Sequence, residues 1–275
     1  MSTRAIILAA GRGARLAGQF GDIPKCLLEL GGATLLERQL AGLRLAGVRT
    51  ITVVTGHQAS RVASVCAGLA DVLENERYAE TNSLYSLWLA RPLLQDGFVV
   101  LNGDVLFHPQ LLRDLLSSRH ADALLVAFRD AASSPFGDEE MKVKVRGGRV
   151  VDIAKTLAPA ESDGENLGIA RFSADGARLL TGLMDDIVAR GGLKEWAPRA
   201  FQAFAAQRPL HAIGTRGFPW TEIDFPEDYH RAVQEVLPLI DGTPAHAPDD
   251  HLLVHAPPMA ASDHPAEWRP QTGHV

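Results

Sequence analysis

Ala5 to Leu30 reads AIILAAGRGARLAGQFGDIPKCLLEL, and the fold follows from how that stretch is parsed. Ala5-Ile6-Ile7-Leu8 is a short apolar run with the pattern of a buried strand. It passes directly into Ala9-Ala10-Gly11-Arg12-Gly13-Ala14-Arg15, a loop of small residues, and a Pro24-Lys25 pair follows. A strand ending in a glycine turn leaves backbone N–H groups unpaired and open to close approach. Those groups, with Arg15 and Lys25 beside them, suit a polyphosphate.

Outward from this stretch the chain alternates strand and helix. Cys26 to Leu30 reads as a short extended segment closed by Gly31-Gly32. Thr34 and Glu37 form a capping-box pattern, and Leu35, Leu36, Leu40, Leu43 and Leu45 give the helix after it an apolar face. Thr50 to Thr55 is a β-branched strand, Gly56-His57 a turn, Gln58 to Leu69 a helix and Asp71 to Glu74 a short strand. Ser83 to Arg91 predicts a helix, and Gly97 to Leu101 a buried strand ending in Asn102-Gly103-Asp104. Pro109 opens a helix to Ser117, and Asp122 to Phe128 is a further strand. This order predicts an α/β fold with a doubly wound, mainly parallel, Rossmann-like sheet whose ligands lie at the carboxyl ends of the strands.

The pattern changes at Arg129. Asp130 to Glu140 reads as a loop, and Met141 to Val145 with Arg149 to Lys155 as a hairpin about Gly147-Gly148. Asn166 to Phe172 is a strand, and Ala174 to Arg190 and Trp196 to Ala206 are helices. Leu210 to Ile213 and Thr221 to Ile223 are strands, and a last helix runs from Phe225-Pro226 to Val236. Residues 1–241 therefore read as one domain, its first half 1–128 and its second half 129–241. The second half is a smaller antiparallel extension covering one side of the site. Residues 242–275, rich in Pro, His, Ala and Asp, read as a flexible C-terminal tail.

Composition narrows the classes. The formal net charge over 275 residues is −6, with no long basic run. That argues against a nucleic-acid groove while leaving room for a local cationic pocket. No stretch approaches the roughly 20 apolar residues of a membrane span, and the first apolar run is too short for a secretion leader. The two cysteines, Cys26 and Cys66, form no C-x-x-C, which fits a reducing cytoplasm, the expected location. Cys26, though beside Lys25, reads as a small apolar residue starting a strand.

Two common glycine-loop readings fail. The dinucleotide fingerprint G-x-G-x-x-G meets Leu16 at its third glycine, and the second long strand ends in Thr55-Gly56-His57 without an acid. A Walker loop needs G-K-[ST], which is absent. The pattern L-A-A-G-x-G-x-R-L followed by P-K instead resembles the signature of nucleotidyltransferases that join a nucleoside triphosphate to a phosphorylated sugar or alcohol. Leu8, Ala9, Ala10, Gly11, Gly13, Arg15, Leu16, Pro24 and Lys25 fill its positions. The likeness runs to about residue 236. Asn102-Gly103-Asp104 matches the family's Gly-Asp metal motif, and Thr221-Glu222-Ile223-Asp224 its late acidic strand. Details such as Tyr78 to Leu87, Glu139 to Val143 and Glu222 to Asp228 look most like phosphocholine cytidylyltransferases.

The resemblance implies a GT-A-type nucleotidyltransferase fold, with a nucleotide-binding first half and an acceptor-binding second half. It implies Mg²⁺ held by Asp104 and Asp224, and phosphate contacts from Arg15, Lys25 and Lys155. Nucleotide contacts are expected from Leu8, Ala9, Ala10, Gly11, Gly13, Gly103, Asn82 and Ser83, although Asn82 is equally natural as a helix N-cap. Around the acceptor it points to Glu139, Gly168, Trp196, Trp220 and Glu222. A quaternary ammonium would need an aromatic face with an acid nearby, for which Phe136, Trp196, Trp220 and Tyr229 are candidates. The implied activity is transfer of CMP from CTP to phosphocholine. 2-Aminoethylphosphonate, inositol 1-phosphate or a sugar 1-phosphate stay open as acceptors, and UTP or GTP as donors. A nucleotide-binding regulatory homologue without turnover is the rival from another class. No nucleic-acid or membrane partner is expected, and homo-oligomerisation is left open.

Overall fold

A computed structural model of the chain describes residues 3–129 and 136–242; the expected tail and the first part of the loop expected over 130–140 lie outside the described residues. The first half contains β1 (Arg4–Ala9), α1 (Ala17–Phe20), the two-residue strands β2 (Glu29–Leu30) and β3 (Ala33–Thr34), α2 (Leu35–Leu45), β4 (Thr50–Thr55), α3 (Ala59–Cys66) and β5 (Asp71–Glu74). It continues with α4 (Ser83–Leu89), β6 (Phe98–Asn102), β7 (Val105–Phe107), α5 (Pro109–Ser117) and β8 (Ala123–Phe128). The second half supplies β9 (Lys142–Arg146), β10 (Arg149–Ala154), β11 (Gly164–Phe172), α6 (Ala174–Ala189) and α7 (Ala197–Ala205). After these come β12 (His211–Gly214), β13 (Trp220–Glu222), α8 (Pro226–Arg231) and α9 (Leu237–Gly242).

Nine strands form one sheet in the order β5-β4-β1-β6-β11-β8-β12-β10-β9. The strands β5, β4, β1 and β6 are mutually parallel, and β12 is parallel to β8. The side chains of β1 alternate between two cores. Ala5, Ile7 and Ala9 join α2, α3 and α5 on one face, while Ile6 and Leu8 join α4, α6 and α7 on the other. That two-sided burial is why the strand reads as an unbroken apolar run. A third cluster gathers Leu16, Leu28, Leu30, Leu35, Leu106, Ile223, Val236 and Leu237, and it seats the glycine loop on the last helices. The capping box at Thr34 is formed, with Glu37 N donating to Thr34 Oγ1 at 3.2 Å and Thr34 N to Glu37 Oε2 at 2.7 Å. Among the described residues, no helix is long and apolar enough to cross a membrane.

Cys26 and Leu27 form a 3-10 turn with Lys25 where a strand was expected to start, and Leu45, expected on the apolar face of α2, is exposed. Three larger features also differ from the expectation. Strand β11 does not lie in a separate extension; it runs antiparallel between β6 and β8, inside the main sheet. The antiparallel addition is the β9–β10 hairpin beyond it, with β9 returning to pair with Gly164 and Glu165. A register shift between Asn166 and Ala170 lets β11 serve both sets of partners. Gly168 makes the shift, at φ +73°, where an added Cβ would lie 2.5 Å from Asn102 Nδ2. Next, the short strands β7 and β13 pair with each other, a ladder too brief to leave a periodic signal. Finally, the last helical stretch continues past Val236 to Gly242 through a π-helical turn at Ala232–Val236.

Gly168→Ala should lower stability by about 1–3 kcal/mol, since it adds both a positive-φ penalty and a clash with Asn102. Urea unfolding of the variant checks this.

Candidate functional site

The carboxyl ends of β1 and β6 open on a cavity of about 420 Å³. Leu8, Ala9, Ala10, Gly11, Gly13, Arg15 and Lys25 line it from β1 and its loop. Asn82 and Ser83 line it from α4, Gly103 and Asp104 from the turn after β6, and Glu139, Lys155, Trp196, Glu222 and Asp224 from the second half. Two expected residues lie outside it. Gly168 sits beside Asn102 in the sheet, and Trp220 pairs with Phe107 and packs on the α2–α5 core. Of the four aromatics considered for an ammonium cage, Trp196 alone lines the cavity. The Tyr229 hydroxyl donates to Glu29 O at 2.9 Å, with its ring on Phe20, and Phe136 lies against Arg129.

Gly13 of the loop and Gly103 after β6 have steric reasons, whereas a Cβ at Gly11 would meet nothing within 4 Å. Gly13 has φ +62°, and an added Cβ would lie 2.8 Å from Lys25 Cγ, so the lysine stem passes directly beneath the loop. Gly103 N donates to Leu8 O at 2.9 Å, and a Cβ there would lie 2.8 Å from the same carbonyl. Glycine at 103 thus lets the turn that carries Asp104 sit against the end of β1. The β7–β13 ladder brings in the other acid: Glu222 pairs with Val105, and Ile223 N donates to Asp104 O at 2.9 Å. Asp104 and Asp224, 120 positions apart in the chain, therefore meet.

Glu222 joins them, and oxygens of the three carboxylates lie within 4.8 Å of one another. Spacing of two along an extended segment puts residues 222 and 224 on one face, and that signal could have placed Glu222 with the metal pair instead of the acceptor. Lys25 Nζ lies 3.3 Å from Asp104 Oδ2 and donates also to Asp224 Oδ1. Burial works against its charge, but Asp104 and Asp224 outweigh it and hold the ammonium above its ordinary range. Burial, then Asp104 and Asp224, push the Glu222 carboxyl well above the ordinary range. Asp104 Oδ1 is buried without a hydrogen-bond partner. An orphaned carboxylate oxygen within an all-oxygen donor set fits a hard divalent cation such as Mg²⁺.

Around this centre the other cations are paired. Arg15 lies 3.4 Å from Asp224 and 3.2 Å from Glu139, over the Phe225 ring at 4.7 Å. Lys155 reaches Glu139 at 3.2 Å and stands 5.1 Å from the centre of the Trp196 ring. Lys155, then Arg15, hold the Glu139 carboxyl below its usual range. Asn82 and Ser83 both have structural partners: Asn82 Oδ1 accepts from Ser83 N at 2.8 Å, and Ser83 Oγ from Ala197 N at 2.9 Å. Burial pushes the Cys26 thiol up to about 12, in keeping with an inert apolar role.

A glycine loop over a buried lysine, facing carboxylates at the ends of a doubly wound sheet, is the equipment of a nucleotidyltransferase. Residues 5–180 match the model of the MobA-like NTP transferase domain, and the chain belongs to that family. It is 33% identical over 238 residues to a bifunctional IPC transferase and DIPP synthase of Rubrobacter xylanophilus, covering 85% of this chain and 52% of the relative. A protein of the same name from Aquifex aeolicus is 28% identical, with 84% and 51% covered. The chain thus spans about half the length of these two relatives. A choline-phosphate cytidylyltransferase of Haemophilus influenzae is 26% identical over 242 residues, 85% of this chain and 97% of that one. In fold the chain is similar to the inositol-1-phosphate CTP transferase of T. maritima, with a TM-score of 0.73, 24% identity, and coverage of 87% and 96%.

Behind the cavity, burial and then the neighbouring Glu140 push the Glu165 carboxyl from 4.5 up to about 7. A raised folded-state value means the native protein binds this proton more tightly than the unfolded chain. The stabilisation is full below about 4.5 and is lost as pH rises to about 7. Glu165→Gln should therefore gain stability relative to the native protein across that window, on the order of 3 kcal/mol, and level off above it. Urea titrations at stepped pH measure the difference.

Proposed function

We propose that the protein transfers CMP from CTP to a small phosphorylated alcohol, releasing pyrophosphate. The observation that carries this reading is the convergence of Lys25, Asp104, Glu222 and Asp224 beneath the glycine loop. An acceptor phosphate oxygen attacks the α-phosphorus, forming a new P–O bond. The bond to the β-phosphate's bridging oxygen breaks, and the electron pair leaves with pyrophosphate. The acceptor oxygen is already anionic near neutral pH, so no general base is required. The loop amides and Arg15 hold the triphosphate, Lys25 meets charge developing on the leaving group, and Lys155 orients the acceptor phosphate. Asp104, Glu222 and Asp224 would hold Mg²⁺, which when bound supplies charge neutralisation between the phosphates.

For the acceptor, inositol 1-phosphate is favoured over phosphocholine. The described aromatic side chains of the cavity are Tyr78 and Trp196. Tyr78 packs toward His57, with ring centroids 5.9 Å apart, and the Trp196 face already carries the Lys155 ammonium. A quaternary ammonium gains little from a ring that already has a cation, whereas a polyol suits polar walls. Phosphocholine is the second reading, since Trp196 and Glu139 stand on the same side of the cavity and Lys155 could turn away to bind phosphate.

Pyrophosphate release should require CTP, Mg²⁺ and one phosphorylated alcohol of an acceptor panel, and chelator should abolish it. Lys25→Ala and Asp104→Ala should each cut turnover by about 100-fold or more with near-native circular dichroism in Mg²⁺. Near-normal turnover in either variant sinks the assignment.

A further inference from the structure

One turn grips both ends of the glycine loop. Gly56 follows β4, and an added Cβ there would lie 2.8 Å from Ala10 O and 2.5 Å from Tyr78 Cβ. The contact needs glycine. His57 N donates to the same Ala10 carbonyl at 3.1 Å, where the loop leaves β1. The His57 side chain, buried at 6% exposure, donates through Nε2 to Asp22 Oδ1 at 2.7 Å, at the loop's far end. Gln58, in the left-handed region at φ +50°, donates its amide to Asp22 Oδ2 at 3.2 Å and to the Asp22 carbonyl. Arg61 donates to Gln58 Oε1 at 2.6 Å and so sets which way the amide faces. The hydrogen bond from His57 also holds the Asp22 carboxyl below its usual range.

Asp22 lies three residues before Lys25, and the span between them contains Pro24, whose φ is fixed. The loop itself is exposed at Gly11, Arg12, Ala14 and Arg15. An isolated ion pair with an exposed carboxylate is weak. Here the carboxylate takes two side-chain donors, one of them buried, and its carbonyl takes a third bond. None of the three clasping residues lines the cavity.

We infer that His57 and Gln58 are positioning residues: through Asp22 they fix the path of the glycine loop and hold the Lys25 ammonium where the leaving phosphates develop charge. The inference rests on the proposed nucleotidyl transfer for its effect on rate, but the clasp has a readout of its own. Without it the loop ends separate, and Arg12 and Arg15 become better trypsin sites. A displacement of about 1 Å at Lys25 is enough to lower turnover severalfold or more.

The test uses Asp22→Asn, at a surface position that leaves the core untouched, with His57→Gln as a second variant that keeps a donor on a shorter reach. Cleavage after Arg12 and Arg15 in the native fold should rise about tenfold in Asp22→Asn and less in His57→Gln. The turnover number should fall about tenfold in Asp22→Asn, with the acceptor KM nearly unchanged. In a Lys25→Ala background the same Asp22→Asn change should cost nothing further, because the clasp acts through that lysine. Unchanged tryptic cleavage in Asp22→Asn overturns the clasp. An equal rate loss with and without Lys25 overturns its action through Lys25. Absence of nucleotidyl transfer in the native protein overturns the proposed activity and leaves the proteolysis result standing by itself.

Discussion

Three carboxylates with oxygens within 4.8 Å of one another cannot all stay ionised in a half-buried site unless positive charge lies among them; without it one keeps its proton, the direction in which Glu222 is pushed. That constraint organises the molecule. Lys25 meets part of it, threading beneath Gly13 to reach Asp104 and Asp224. The orphaned Asp104 Oδ1 marks what Lys25 leaves unsatisfied. A lysine can move or share its partners when a cation arrives, because its ammonium sits on a flexible stem. The same cluster is thus held together by Lys25 and, on the proposed reading, leaves room for a metal–triphosphate complex.

The sheet exists to bring those groups to one place without distorting the cores. Parallel strands β1 and β6 end side by side and present Ala9 and Gly103 at the same level. Inserting β11 antiparallel between β6 and β8 then carries the second half across the first, so that Asn166 reaches the cavity wall. The third apolar cluster ties the glycine loop, through Leu16, to the helices that follow Asp224. Donor loop and acidic strand are therefore packed against one another through a common hydrophobic seat, a few residues from the charges they carry.

Most of this order was legible in the residues. Thr50–Thr55, Asp71–Glu74 and Pro109–Ser117 lie as read, the first from its β-branched run and the last from the proline at a helix start. The capping box at Thr34 is likewise formed as read. What escaped was long-range or very short. No local pattern reveals that β11 sits between β6 and β8, because a buried central strand looks the same in either direction. The β7–β13 ladder has three residues per strand, below the length at which period-two alternation can be counted. Missing that ladder also hid Glu222, which joins the acids only because the ladder places its segment beside Asp104. Trp220 looked attractive by its nearness to Asp224 in sequence. It pairs instead with Phe107 at the end of the β7–β13 ladder away from Asp224, and there its ring packs on the α2–α5 core.

The two sides of the proposed reaction would be encoded differently, and this decides how far each could be read. On the proposed reading the donor side is largely backbone: a glycine loop that lets the Lys25 stem pass close beneath Gly13, and a turn at Gly103 set against Leu8 O. Backbone geometry tolerates few residue types, so it leaves a motif. The side proposed for the acceptor is made of side chains from separate segments, with Glu139 bridging Arg15 and Lys155 across the cavity. An anionic carboxylate between two cations sits in the surroundings that suit a phosphate, and a bound phosphate would compete with it for both. Such a bridge can be rebuilt from many residue combinations to suit different alcohols while the cations stay in place. On the proposed reading, acceptor identity rests on polarity and shape at the cavity wall, where the Lys155 ammonium stands 5.1 Å from the centre of the Trp196 ring, a contact that a quaternary ammonium would have to displace and a hydroxylated acceptor would not.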